Sequence, residues 1–350
     1  MADEVKVKKP STKALAWPLF DRIVADRLSE SGEYTSPWIR DEDGTLGFVP
    51  DYATLERLLG VPLYLKAATT TGVPALALDV WLAYELRRAG FAPDSVWPRA
   101  THPRILPGTV AALLAALPKA QSKGLLERLT REGSVQGVTA SSASILGKNY
   151  SKQVDVIMAD WSTGPELLIS TKRMDSSYGK NAPNRVEESY GDAKNLRLRH
   201  PLAALGFAFG LRNDVFDKEP DTADWLLDLL AKLGREDDAY HATCVILMQY
   251  GTDVTPPPDT GGEDEDRLAP AGLEEVRSNE DAPAEVSAVE IAVTLAQLPQ
   301  VRVDHARTPD NLSPARFLAS MVNHVLDTTP VNLHVEARRI RRDARTHPAG

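Results

Sequence analysis

The sequence is short of several things, and each shortage removes a class of protein. It holds one cysteine, Cys244, in 350 residues, so a disulfide framework and a thiolate metal site within the chain are both excluded. That cysteine stands in the apolar run HATCVILMQY, which predicts a buried strand residue. No apolar run approaches the roughly 20 residues that span a bilayer, and the charged opening MADEVKVKKP lacks the apolar centre of a secretion signal. The expectation is a cytoplasmic protein with no membrane partner. Neither GxxxxGK[ST] nor GxGxxG occurs, which argues against an ATP motor, a dinucleotide enzyme and any nucleotide cofactor. Among the 7 histidines no two have the helical spacing of metal ligands, which argues against a zinc hydrolase. An excess of positive charge is missing too: the net charge is −9.

What is present is the composition of a folded protein, with 43% hydrophobic and 25% charged residues. The length allows one large domain or two ordinary ones. The charge is uneven. The stretch 253–290 is rich in Asp, Glu, Pro and Gly, whereas KRMDSSYGKNAPNR and KNLRLRH are locally basic, so whole-chain charge is a poor guide to any one surface. The basic run RRIRRDAR near the end reads either as a phosphate contact or as an ordinary exposed helix end.

Hydrophobic spacing predicts helices at 14–32, near 52–69, at 74–91, 108–118, 121–132, after Pro183 to 200, and at 221–234. ATCVILMQY reads as a core strand, and LAALGFAFGLR as a buried strand or a short apolar turn. The reading is an α/β protein with a central mixed sheet flanked by helices. Its parts are a helical N-terminal region over 1–73, a core over 74–251 with a helical insertion near 105–135, an acidic Pro/Gly-rich linker over 252–285, and a smaller C-terminal α/β portion over 286–350.

Within that core QVDVIMADWSTGPELLISTKRM (153–174) predicts two adjacent strands. The first carries Asp155 amid Val154, Val156 and Ile157. The second runs through Leu167, Leu168 and Ile169 and then delivers Lys172. Charges in strands built for burial have a desolvation cost that a structural role rarely explains. Ser170 and Lys172 are two apart and share a face. A carboxylate that holds Mg²⁺, beside a lysine that positions water, is the equipment of metal-assisted phosphodiester hydrolysis. The structural alternative is a cross-strand ion pair.

These residues carry a resemblance. GKNYSKQVDVIMADW and ELLISTKRM resemble the core of the PD-(D/E)xK nuclease superfamily, which includes many restriction endonucleases, over roughly 74–212. Asp155 matches the first acid, with Val154 where the family has proline, and Lys172 matches the lysine. The second acid falls on Ser170. Some type II restriction enzymes show a similar Ser-x-Lys and take the missing acid from the helix that follows; here that helix reads RVEESYGD and offers Glu188 or Glu187.

The resemblance implies a restriction-endonuclease-like fold and a Mg²⁺-dependent DNA endonuclease of a restriction or defence system, acting on double-stranded DNA as a homodimer. It implies Asp155 with Glu188 or Glu187 as metal ligands, Lys172 at the attacking water, and Ser170 as an outer hydroxyl. Arg185, Lys180 and Arg173 would contact DNA, and Glu85, on the helix WLAYELRRAGF, would be an accessory acid. The alternatives are a decayed nuclease fold retained as a DNA-binding or assembly subunit, which Ser170 would allow, and an enzyme for another nucleic acid.

Overall fold

The computed structural model describes residues 9–131, 138–139, 143–235, 239–251, 254 and 283–346. The chain opens with α1 (Thr12–Ala25), β1 (Trp38–Arg40), β2 (Leu46–Phe48), α2 (Tyr52–Tyr64), α3 (Val73–Arg88) and β3 (Val96–Trp97). Next come α4 (Gly108–Ala116) and α5 (Lys119–Arg131), then β4 (Ala143–Leu146), β5 (Ser151–Val154), β6 (Val156–Asp160) and β7 (Gly164–Met174). They are followed by α6 (Tyr178–Arg197), β8 (Ala204–Arg212), α7 (Val215–Lys218), α8 (Pro220–Leu233) and β9 (Ala242–Tyr250). The last elements are α9 (Ala288–Ala296), β10 (Val301–Val303), α10 (Pro314–Thr328), α11 (Val335–Arg342) and β11 (Arg345–Thr346).

The architecture is mixed α/β. Six strands form one sheet in the order β10-β9-β8-β7-β6-β3. The three central strands β7, β8 and β9 run parallel, and the outer pairings are antiparallel. Central parallel strands are covered on both faces and read as continuous apolar runs. This is why LAALGFAFGLR yields a strand and not a turn: all 9 residues of β8 are buried. Alternation then divides its side chains. Ala204 and Ala208 face one cluster with α1, α2, α3 and α10, while Leu205, Phe207, Phe209 and Leu211 face another with α6 and α8. Gly206 lets α10 close on the sheet, since a Cβ there would lie 2.7 Å from the Phe317 ring.

The first of these clusters takes Trp17 and Phe20 from α1, Leu55 from α2, Val156 and Ile169 from the sheet, and Phe317 and Met321 from α10. N-terminal, central and C-terminal portions therefore share one core. Helices α4 and α5 pack around a separate small group, Leu106, Ala111 and Leu114. Cys244 is buried in β9, and burial pushes its thiol up. Of the acidic stretch 252–285, only residues 254 and 283–285 lie among the described residues. Among the described residues no helix is long and apolar enough to cross a membrane.

Two differences from the expected elements matter for the site. Helix α6 begins at Tyr178, after Ser177 in the left-handed region (φ 56°), and contains Pro183 instead of starting behind it. A proline inside a helix forfeits its own N–H bond, and here the flanking turns carry the helix through. Asp155 lies not within a strand but in the bend between β5, which pairs only with β4, and β6, which joins the main sheet.

Candidate active site

The site grows from the middle of β7. Its side chains alternate, so Thr171 and Arg173 point toward α3 while Ser170 and Lys172 point toward α6. Across the sheet edge the Asp155 carboxylate accepts the Thr171 backbone N–H at 2.7 Å. The break between β5 and β6 frees that N–H and turns the aspartate to meet it. Thr171 also uses its side chain: Oγ1 donates to Asp79 Oδ1 at 2.5 Å. One threonine thus holds two carboxylates.

Asp79 sits on α3, where every residue but Ala75 is buried, so its charge needs a partner there. Burial first, and then the negative charge of Asp155, pushes its carboxyl well above the usual carboxylate range, with Thr171, Lys13 and Lys172 pulling the other way. Asp79 and Asp155 line a cleft of about 60 Å³ with Lys13, Trp17 and Trp97 on its walls.

On the α6 side, Glu188 Oε1 lies 3.5 Å from Lys172 Nζ and 3.3 Å from Lys152 Nζ. Its other oxygen is 3.9 Å from the Arg185 guanidinium, one turn earlier. Lys152 also meets Asp192 at 2.8 Å. Beneath this group is Tyr240, whose phenol donates to the Ser189 carbonyl at 2.8 Å. Burial, with the charges of Asp192, Asp155 and Glu188, pushes that phenol well above its ordinary value, and the Ser170 hydroxyl hydrogen-bonds to it. Ser170 is therefore directed at Tyr240.

The expected residues divide cleanly. Lys172, Glu188 and Arg185 come together, and Asp155 is tied to Thr171, between Ser170 and Lys172. Glu187 and Lys180 are exposed, which leaves Glu188 as the acid that meets the lysine. Arg173, expected at DNA, is buried: its guanidinium is bidentate to Asp175 at 2.8 and 3.0 Å and reaches the Pro74 carbonyl at 3.3 Å. Glu85, expected as an accessory acid, meets Arg88 at 2.6 Å and accepts the Asp51 N–H at 2.7 Å. It braces α2 against α3. Burial pushes its carboxyl up to about 7 despite Arg88.

The acid of α3 that approaches Asp155 is Asp79, six residues earlier than Glu85 in the chain. The signal was there to be read, because Asp79 stands alone in PALALDVWLAY as Asp155 does in QVDVIM. Tyr240 lies far from the motif, and Lys152, three residues before Asp155, stands in the polar run GKNYSKQ, where a lysine does not stand out.

Mg²⁺ takes oxygen ligands and keeps several of its waters, so one or two carboxylates suffice. Asp155, with Asp79 beside it and Glu188 on the α6 side, offers that donor chemistry, and two neighbouring carboxylates of which one resists ionisation would gain from a dication. Among the described residues no three His, Cys, Asp or Glu side chains are grouped to hold a metal. No protein-family model, no curated protein and no solved structure matches this chain.

Proposed function

We propose that the chain is a Mg²⁺-dependent endonuclease that hydrolyses DNA phosphodiester bonds, with a restriction-endonuclease-like core and a role in restriction or defence. The observation that carries the reading is the meeting of Lys172 and Glu188 at 3.5 Å, beside an Asp155 fixed to the same Ser-x-Lys triplet. In this reading Glu188 takes the part of the triplet's missing acid.

In this reading Asp155 and Glu188 hold the cation, and Asp79 adds negative charge from the other face. The cation would polarise the scissile phosphate and make its bound water a better nucleophile at neutral pH. Lys172 orients the attacking water and offsets charge on the phosphate. Arg185 and Lys180 contact the DNA backbone or a guanine edge. Cutting both strands calls for two such sites, hence a homodimer in the cytoplasm. Incubating the purified protein with duplex DNA and Mg²⁺, then sequencing the fragment ends, tests the reading.

One observation favours a second reading. Glu188 is held by cations of the chain itself, and Ser170 leaves the strand without its acid. A decayed nuclease fold retained as a DNA-binding subunit would bind duplex DNA and leave it intact with either Mg²⁺ or Mn²⁺. RNA and branched DNA as substrates separate the remaining alternative.

A further inference from the structure

Helices α6 and α8 lie side by side on one face of the sheet. Each follows one of the parallel strands, β7 or β8, and runs back against it, so the two helices point the same way. Ala182, Val186 and Leu196 of α6 turn inward with Leu226 and Leu230 of α8 to a shared core. The outward sides carry Tyr190, Leu198 and Trp225, with Leu198 52% and Trp225 42% exposed.

Gly191 has no cause inside the chain. It stands exposed within the 20-residue helix α6, where glycine costs about 1 kcal/mol relative to alanine. A Cβ there would come no nearer than 4.0 Å to a neighbour outside the helix backbone, the Tyr150 hydroxyl. Packing within one copy therefore does not require the glycine. A second helix laid across this face would, because the distance between helix axes is set by the side chains at the contact.

The charges on the two outward faces are opposite and ordered. Helix α8 opens with exposed Asp221 and Asp224, and neither meets a cation among the described residues. Asp228, further along, is answered by Lys232 at 2.5 Å. The far end of α6 carries exposed Lys194, over the Tyr190 ring at 5.8 Å, with Arg199 just beyond. Within one copy the acidic and basic ends lie apart, because the helices are parallel. A two-fold axis perpendicular to them reverses one pair over the other, so α6 of each copy crosses α8 of its partner antiparallel. We propose that the outward face of α6 and α8 is the interface between two copies of this chain, with Gly191 against the partner's Trp225 and Lys194 against the partner's Asp221 and Asp224. Every contact then occurs twice. The inference rests on the nuclease reading only in expecting two copies, since that reading names no surface between them.

Light scattering of the full-length chain over a concentration series tests this, after a thermal melt shows each variant folded. Wild type should be a dimer that dissociates on dilution. Gly191→Leu should melt no lower than wild type, since leucine is the better helix former and has room there, yet weaken the dimer about tenfold or more. Lys194→Glu and Asp224→Lys should each weaken it about tenfold, and the two together should restore it, because the exchanged charges attract again. A monomeric wild type overturns the proposal, as does a dimer that tolerates Gly191→Leu or a charge exchange that restores nothing. Should Gly191→Leu fail to fold, the charge exchange decides alone. Cleavage is a separate readout. A monomer that cuts DNA would end this proposal and leave the nuclease reading standing, and the expected dimer with DNA left intact under Mg²⁺ and Mn²⁺ would do the reverse.

Discussion

Thr171 gives its backbone N–H to Asp155 at 2.7 Å, which ties the bend between β5 and β6 to the centre of the Ser-x-Lys triplet. The bond gives Asp155 a structural duty beside the chemical one proposed for it, and two substitutions separate them. Asp155→Asn keeps an oxygen for the N–H and should melt within about 1 kcal/mol of wild type, whereas Asp155→Ala should lose about 1–3 kcal/mol. Both should lower DNA cleavage by about a hundredfold or more, because each removes the charge needed in the transition state. Urea melts beside a cleavage assay check the pair.

The side chain of the same threonine serves Asp79 at 2.5 Å. Thr171→Val removes the hydroxyl and leaves the backbone N–H in place. A buried acceptor without its donor costs about 1–3 kcal/mol, so the urea midpoint should fall while the Asp155 contact survives. Asp79→Asn should weaken Mn²⁺ binding by calorimetry. Equal binding would remove Asp79 from the site and leave it a buried acid of α3.

Glu85 makes a pH prediction with a definite sign. Its carboxyl is pushed up to about 7, against an ordinary 4.5, so between those values the folded chain holds a proton that the unfolded chain has released. The stability it contributes is full below 4.5 and lost as pH rises through 7. Glu85→Gln cannot titrate. From pH 5 to 7.5 wild type should lose about 1–3 kcal/mol more than the variant, by urea melts at each pH.

Arg173 and Lys180 should behave as opposites. Arg173→Ala strands the buried Asp175 carboxylate and should cost about 3–5 kcal/mol of stability. Lys180→Ala should leave the melt unchanged and, if that lysine meets phosphate, reduce the salt dependence of DNA binding by about one ion. A stable Arg173→Ala with impaired DNA binding would reverse the assignment.

Much of this was legible in the sequence, for reasons that differ by residue. Continuous apolar runs gave β8 and β9 because central parallel strands are buried on both faces. Asp155 and Lys172 stood out because a charge in such a run needs a cause. Arg173 was misjudged because its partner, Asp175, is two residues away and only the turn after β7 folds it back. Asp79 stands alone in the apolar run PALALDVWLAY, a charge that needs a cause, but α3 is buried nearly all round and has no polar stripe to tell which of its acids, Asp79 or Glu85, meets the sheet edge. Lys152 reaches Glu188 through a hairpin docked on a helix more than thirty residues away in the chain, a tertiary contact that no local spacing encodes.

The most direct test of the account is a cleavage assay of wild type, Lys172→Ala and Glu188→Ala on unmodified and modified genomic DNA with Mg²⁺. Wild type should cut, and each variant should lose about a hundredfold or more of that activity while remaining folded. Cutting by Lys172→Ala and Glu188→Ala at the wild-type rate would contradict the site, and intact DNA with wild type under both Mg²⁺ and Mn²⁺ would contradict the function.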